Sequence, residues 1–231
     1  MPPRAHRILV LLAVCALAAP AAARAQDPAP TGGTAAPAPV AGLIATPHVF
    51  VGNVARFRGS FAAREAGRTV TVERFDVTTG AWIAVASALV AADGSYVASW
   101  RTDVTGRHRT RATLGDGSGT RAGGAAAFAA TEQDEASTTV YRPAVASWYG
   151  PGFYGRKTAC GVRMTRTLLG VAHKRLPCGA EVALTYGGRS VTVPVVDRGP
   201  YVKGRRWDLT GATAQALGFT ITDRIGAVRI S

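Results

Sequence analysis

The sequence predicts an all-β protein, a small antiparallel β-sandwich followed by a closed barrel with one short helix. Three observations carry this. Apolar residues alternate in short runs: Val70 and Val72, Ile83 and Val85, then Tyr96, Ala98 and Trp100. A period of two buries one face of a strand and wets the other. The β-rich runs 181–186 and 189–196 flank Gly187-Gly188, a two-residue turn that accepts positive φ at both positions. Past residue 143 only one stretch reads as helix: Thr210 can cap it, it runs through Leu217, and Gly218 supplies a left-handed stop.

In chain order, residues 1–25 read as a secretory signal peptide: Arg4 and Arg7 precede an apolar run from Ile8 to Ala19, and Ala23-Arg24-Ala25 is a small-x-small cleavage site. The run is shorter than the roughly 20 residues of a membrane span, so the processed chain is expected to be secreted, without stable membrane insertion. Lipid attachment at Cys15 is disfavoured, because Val14 stands where a small residue is wanted. Residues 26–42, rich in Ala, Pro, Gly and Thr, cannot bury a core and read as a linker. Residues 43–128 carry the alternating runs, punctuated by Thr79-Gly80, Asp93-Gly94 and Asp116-Gly117. That spacing predicts a sandwich of immunoglobulin-like architecture. The polar run 129–142, with Glu132, Asp134 and Glu135, reads as a second linker before a terminal module at 143–231. Its last stretch, Gly226 to Ile230, is apolar enough to be a closing strand, and many short strands with one helix suggest a barrel that removes its own edges.

Lys and Arg number 27 against 14 Asp and Glu, a net charge of +13, and loss of Arg4, Arg7 and Arg24 with the signal leaves +10. An exported protein meets little nucleic acid, so none is expected as a partner. The excess either holds the protein on an anionic wall polymer or serves as a solvated surface. Cys160 and Cys178 remain after processing, an even pair in an oxidising compartment, and a disulfide is the default reading over a catalytic thiol.

Two acids hang on one strand–loop–helix unit: Asp197 in the run Val193 to Pro200, and Asp208 in Asp208-Leu209-Thr210. With Ser147-Trp148-Tyr149-Gly150, Thr158-Ala159-Cys160-Gly161 and the segment Gly170 to Gly179 containing His173, they form four ordered elements. This set resembles the rare lipoprotein A (RlpA) family of cell-wall proteins over 143–231. The resemblance implies a six-stranded double-psi β-barrel with an open polysaccharide groove. It makes Asp197 the catalytic aspartate and His173 the site histidine. One position departs: the enzymatic members carry a Gly-Glu pair where this chain has Gly161-Val162. The cysteine pair resembles the start of expansin-like double-psi barrels, which also implies that Ser147 and Tyr149 face the polysaccharide.

The chemistry implied is lytic transglycosylation of peptidoglycan glycan strands. Ordinary glycoside hydrolysis needs two carboxyl groups, whereas here the muramyl C6 hydroxyl attacks the anomeric carbon and one placed acid suffices. Asp197 can donate to the glycosidic oxygen and then take the C6 proton; Asp208 can replace the glutamate or hydrogen-bond the first acid. Either acid can instead shape its loop, and His173 can be a hydrogen-bonded structural residue. Aromatic residues such as Tyr149 and Tyr201 suit sugar C–H faces. No cofactor is expected. No metal is expected either, since His173 is the module's sole histidine and no ligand spacing accompanies it. The competing reading is a non-catalytic expansin-like polysaccharide-binding or wall-loosening module; a barrel used only for protein contacts is the third.

Overall fold

The computed structural model describes residues 42–115 and 135–230. The expected signal peptide, nearly all of the first linker, Asp116-Gly117 and the first part of the second linker lie outside the described residues.

Two sheets face each other in the N-terminal half. Strands β1 (Ile44–Ala45), β3 (Val54–Ser60) and β6 (Ser95–Arg101) form one, in the order β1-β3-β6. The other runs β5 (Ala81–Leu89), β4 (Thr69–Asp76), β7 (Gly106–Leu114) and β8 (Ala136–Tyr149), with β2 (His48–Phe50) laid parallel on β8. Alternation does the work expected of it: Phe57, Val70, Val72, Tyr96, Ala98 and Trp100 are buried between the sheets. Ile83 and Val85 are less well covered, because β5 is an edge strand. Thr79-Gly80 and Asp93-Gly94 turn the chain between β4, β5 and β6.

The C-terminal half is a closed six-stranded barrel. It comprises β8, β9 (Val171–Ala172), β10 (Glu181–Tyr186), β11 (Arg189–Asp197), β12 (Trp207–Thr210) and β13 (Asp223–Arg229). Their order is β12-β9-β11-β10-β13-β8, and β8 pairs back onto β12. The β9–β11 and β8–β12 pairs are parallel and the rest antiparallel. Gly187 and Gly188 have φ of 55° and 78°, as the hairpin between β10 and β11 requires. Helix α1 (Gly211–Leu217) starts where Thr210 accepts the Thr213 amide and stops at Gly218, φ 67°. Ala214 and Leu217 seat it on a core of Ala146, Val171, Val195 and Leu209, each large apolar side chain contributing about 1.5–3 kcal/mol by leaving water.

Strand β8 overturns one boundary. Residues 136–142, expected as the end of a linker, are its first half, paired with β7 and β2. The polar run misled because Thr138 and Thr139 are buried, and Thr138 shares its face of the strand with Val140. The partners change along the strand: β7 and β2 as far as Tyr141, β13 from Arg142 to Ala146, β12 from Ala146 to Tyr149. Pro143 falls in the single-sided stretch, where a missing N–H is tolerated. At Gly226, opposite Pro143, an added Cβ would meet Phe50, Tyr141 and Thr185, so the two halves approach too closely for a side chain there.

Candidate functional site

Register brings the two acids together. Asp197 on β11 and Asp208 on β12 are both paired with Ala172 on β9, from opposite sides, and Asp208 is also paired with Ser147 on β8. Residues opposite one another share a face, so Asp197, Ala172, Asp208 and Ser147 form one row across four strands. Tyr149 is two residues beyond Ser147 on the same face. Trp207, Leu209, Val171 and Ala146 alternate onto the other side and fill the barrel core. The acid row is therefore on the outside of the barrel wall, with the carboxyl-bearing residues two strands, or about 10 Å, apart.

Asp197 is held by three donors. Its Oδ1 accepts the Ala159 amide at 2.8 Å and its neighbour Arg198's amide at 2.8 Å; Oδ2 accepts the Tyr149 hydroxyl at 3.2 Å. Ala159 belongs to the excursion between β8 and β9, which the Cys160–Cys178 disulfide ties to the segment ahead of β10, with Cα atoms 5.7 Å apart. The bridge thus fixes a donor to the carboxylate. Tyr149, Phe153, Arg156, Lys157, Thr158 and Met164 enclose a recess beside Asp197 of about 20 Å³, room for one water or one hydroxyl. Phe153 stands edge-on to Tyr149 at 5.5 Å and is half exposed.

Burial raises the Asp208 carboxyl above the ordinary aspartate range, with Asp197's charge adding to it and Arg205 opposing. Its Oδ1 is buried without a partner, as is the Ser147 hydroxyl oxygen beside it. The hydroxyl eases the carboxyl's charge without meeting hydrogen-bond geometry. Burial, then the Asp197 charge and hydrogen bond, then the Asp208 charge push the Tyr149 phenol up, keeping it a donor. Thr210 anchors the end of β12, donating to the Leu168 carbonyl at 2.6 Å.

The remaining predicted residues divide. Ser147, implied to face a polysaccharide, is 95 % buried because it is in the interior of β8 with Asp208 beside it; its exposure is 5 %. Tyr201 is 80 % exposed. His173 meets Asp197 only through the backbone, its amide donating to the Asp197 carbonyl at 3.1 Å. Its Nδ1 accepts the amides of Arg175 and Leu176 at 3.2 and 3.0 Å, and its ring lies 4.5 Å from that of Trp207. Burial, then Arg206, Arg198, Arg175 and Lys174, hold it below the usual histidine range. It shapes the loop after β9. Val162 is part of the tight turn 158–162 and is partly exposed. Among the described residues no His, Cys, Asp or Glu cluster could hold a metal, and no helix is long and apolar enough to cross a membrane.

Sequence reasoning missed Ala159 and the Arg198 amide as Asp197's anchors, since backbone donors leave no residue-type signal. It also passed over Arg156 and Lys157 at the recess.

The six-stranded mixed barrel falls within residues 142–231, which match the family described as Lytic transglycolase. This domain is an RlpA-like double-psi β-barrel. It is 46 % identical over 88 residues to the probable endolytic peptidoglycan transglycosylase RlpA of Synechocystis, covering 36 % of this chain and 27 % of that one. It is 53 % identical over 75 residues to the protein of that name from Aquifex aeolicus, covering 32 % and 33 %. It is also 47 % identical over 74 residues to the endolytic peptidoglycan transglycosylase RlpA of Campylobacter jejuni, covering 31 % and 27 %. The chain thus spans about a third or less of the length of these relatives.

Proposed function

We propose that the C-terminal barrel cleaves peptidoglycan glycan strands as a lytic transglycosylase, after export of the chain behind the signal peptide at 1–25. The row Asp197–Ala172–Asp208–Ser147, with Tyr149 bonded to Asp197, carries the reading. The names of the relatives support the substrate class.

The recess beside Asp197 is too small for a sugar ring but fits a hydroxyl, so the strand lies across the wall and presents its muramyl C6 hydroxyl. Asp197, protonated, gives its proton to the glycosidic oxygen as the C1–O bond breaks. The C6 oxygen then bonds to C1 and the carboxylate takes the C6 proton. The proton count is restored, no water is consumed and the product ends in an anhydromuramyl residue. Tyr149 holds Oδ2 in place. Burial raises the Asp208 carboxyl, which favours its neutral form and so limits repulsion against Asp197. His173 is a positioning residue for the loop after β9, while Tyr201 and Phe153 offer exposed ring faces to the glycan.

One observation favours the competing reading. Oδ1 is occupied by two amides and Val162 supplies no second exposed acid, which suits a non-catalytic polysaccharide-binding module. Mass spectrometry of purified glycan strands incubated with the protein separates the two. Anhydromuramyl ends are expected; strands bound but uncut at every pH would leave only binding.

A further inference from the structure

A cavity of the barrel much larger than the recess beside Asp197 lies elsewhere. It opens at the end of the barrel where β9 leaves and β12 enters. It measures about 500 Å³, within the range of ligand pockets of roughly 300–1,000 Å³. Lys174 and Arg175 stand on one side, Gly204, Arg205 and Arg206 on another, and Pro143, Ala144 and Val145 of β8 form an apolar floor. A smaller cavity of about 130 Å³ shares Ala144 and Arg206 with it and adds Arg142.

Three features make this more than a solvated basic surface. No acidic residue lines either cavity, and among the described residues Lys174, Arg175, Arg205 and Arg206 form no salt bridge, Arg205 only easing the charge of Asp208 from a distance. His173, 8 % exposed, forms part of the wall. Because its Nδ1 is consumed by the Arg175 and Leu176 amides, the neutral ring carries its proton on Nε2, a donor with no protein partner among the described residues. The cations also reach the cavity from two chain segments, which run on from the neighbouring strands β9 and β12. A single carboxylate is saturated by one arginine fork, whereas a tetrahedral phosphate can bond several cations at once and offset more of the four charges.

We propose that this cavity is a phosphate-binding site, separate from the acid row, that takes phosphate mono- or diester groups of an anionic envelope polymer or lipid headgroup. It does not depend on the barrel being an enzyme. The site adjoins the acid row, since Arg206 is two residues ahead of Asp208, so a ligand held there would retain the protein next to its glycan.

The test is calorimetric titration of the exported chain with pyrophosphate at low ionic strength. Binding should weaken on the order of tenfold or more in a Lys174→Gln/Arg175→Gln variant and fall with added salt. Arg56→Gln/Arg58→Gln, an equal charge loss on exposed β3 positions, should leave it unchanged. Equal weakening in both variants, or no binding by the parent protein, overturns the proposal. Co-sedimentation with a glycerol-phosphate polymer and with phosphatidylglycerol vesicles then identifies the source of the phosphate, and binding to neither also overturns it. Asp197→Asn should bind pyrophosphate normally whether or not it cleaves glycan, so the two proposals fail separately.

Discussion

The two halves of this molecule treat their charges in opposite ways. In the sandwich, arginines are spent on structure: Arg111 pairs with Glu73 at 2.8 Å, Arg109 with Glu135 at 2.6 Å, and Arg68 with Glu65. Arg109 and Arg111 also lie over the Trp82 ring, at 5.7 and 4.3 Å. In the barrel, Asp197 is satisfied by two amides and a phenol, Asp208 is half-buried beside a serine, and Lys174, Arg175, Arg205 and Arg206 form no salt bridge among the described residues. Charges neutralised in place hold a scaffold; charges kept apart remain available to a ligand.

The largest effect expected from breaking this contrast is in turnover. Asp197→Asn should lower anhydromuramyl production by about 10²–10⁴-fold, while its Oδ1 still accepts both amides and the melting temperature stays put. Undiminished product by mass spectrometry would remove Asp197 from the chemistry. Next is the disulfide, absent from the sandwich: reduction should cost the barrel about 3 kcal/mol, read as faster amide exchange around Ala159 and in the barrel strands. Unchanged exchange would show that the excursion is held by other contacts. Third, Glu73→Ala should destabilise the sandwich by about 1–2 kcal/mol, since the pair is only partly buried, without altering glycan cleavage. A loss of cleavage would show that sandwich charges serve the site.

The smallest effect concerns Asp208. Its carboxyl is raised in the folded state, so the fold favours the neutral form. The cost of ionising it is absent below the unfolded pKa of about 3.9 and appears as pH rises through the folded value. Asp208→Asn should therefore raise the melting temperature at pH 7 by about 2–4 °C, equivalent to about 1 kcal/mol. The gain should vanish toward pH 3. A gain independent of pH would point to packing instead of charge.

Much of the fold was legible because it rests on local chemistry. Alternation gave β4 and β6, Gly187-Gly188 gave the β10–β11 hairpin, and Thr210 and Gly218 bracketed α1. Pairing Asp197 with Asp208 was legible through motif order. What brings them together was not, because both acids are paired with Ala172, a residue of a two-residue strand that no pattern marks. The end of the second linker was misread because its threonines are polar by type yet buried by β7 and β2. The dibasic pairs Lys174-Arg175 and Arg205-Arg206 are plain in the sequence, but only the antiparallel β9–β12 pairing brings them to one end of the barrel.

Strand β8 passes through both halves without interruption, and that makes it the phase reference of the whole molecule. A strand turns over completely when its register slips by one. A single residue inserted between Tyr141 and Ala144 would carry the outward set, Ser147 and Tyr149, to the core side and bring Ala146 out of the core in their place. Such an insertion need not touch either acid to disarm the barrel, because it would remove the phenol from Asp197 by rotation alone.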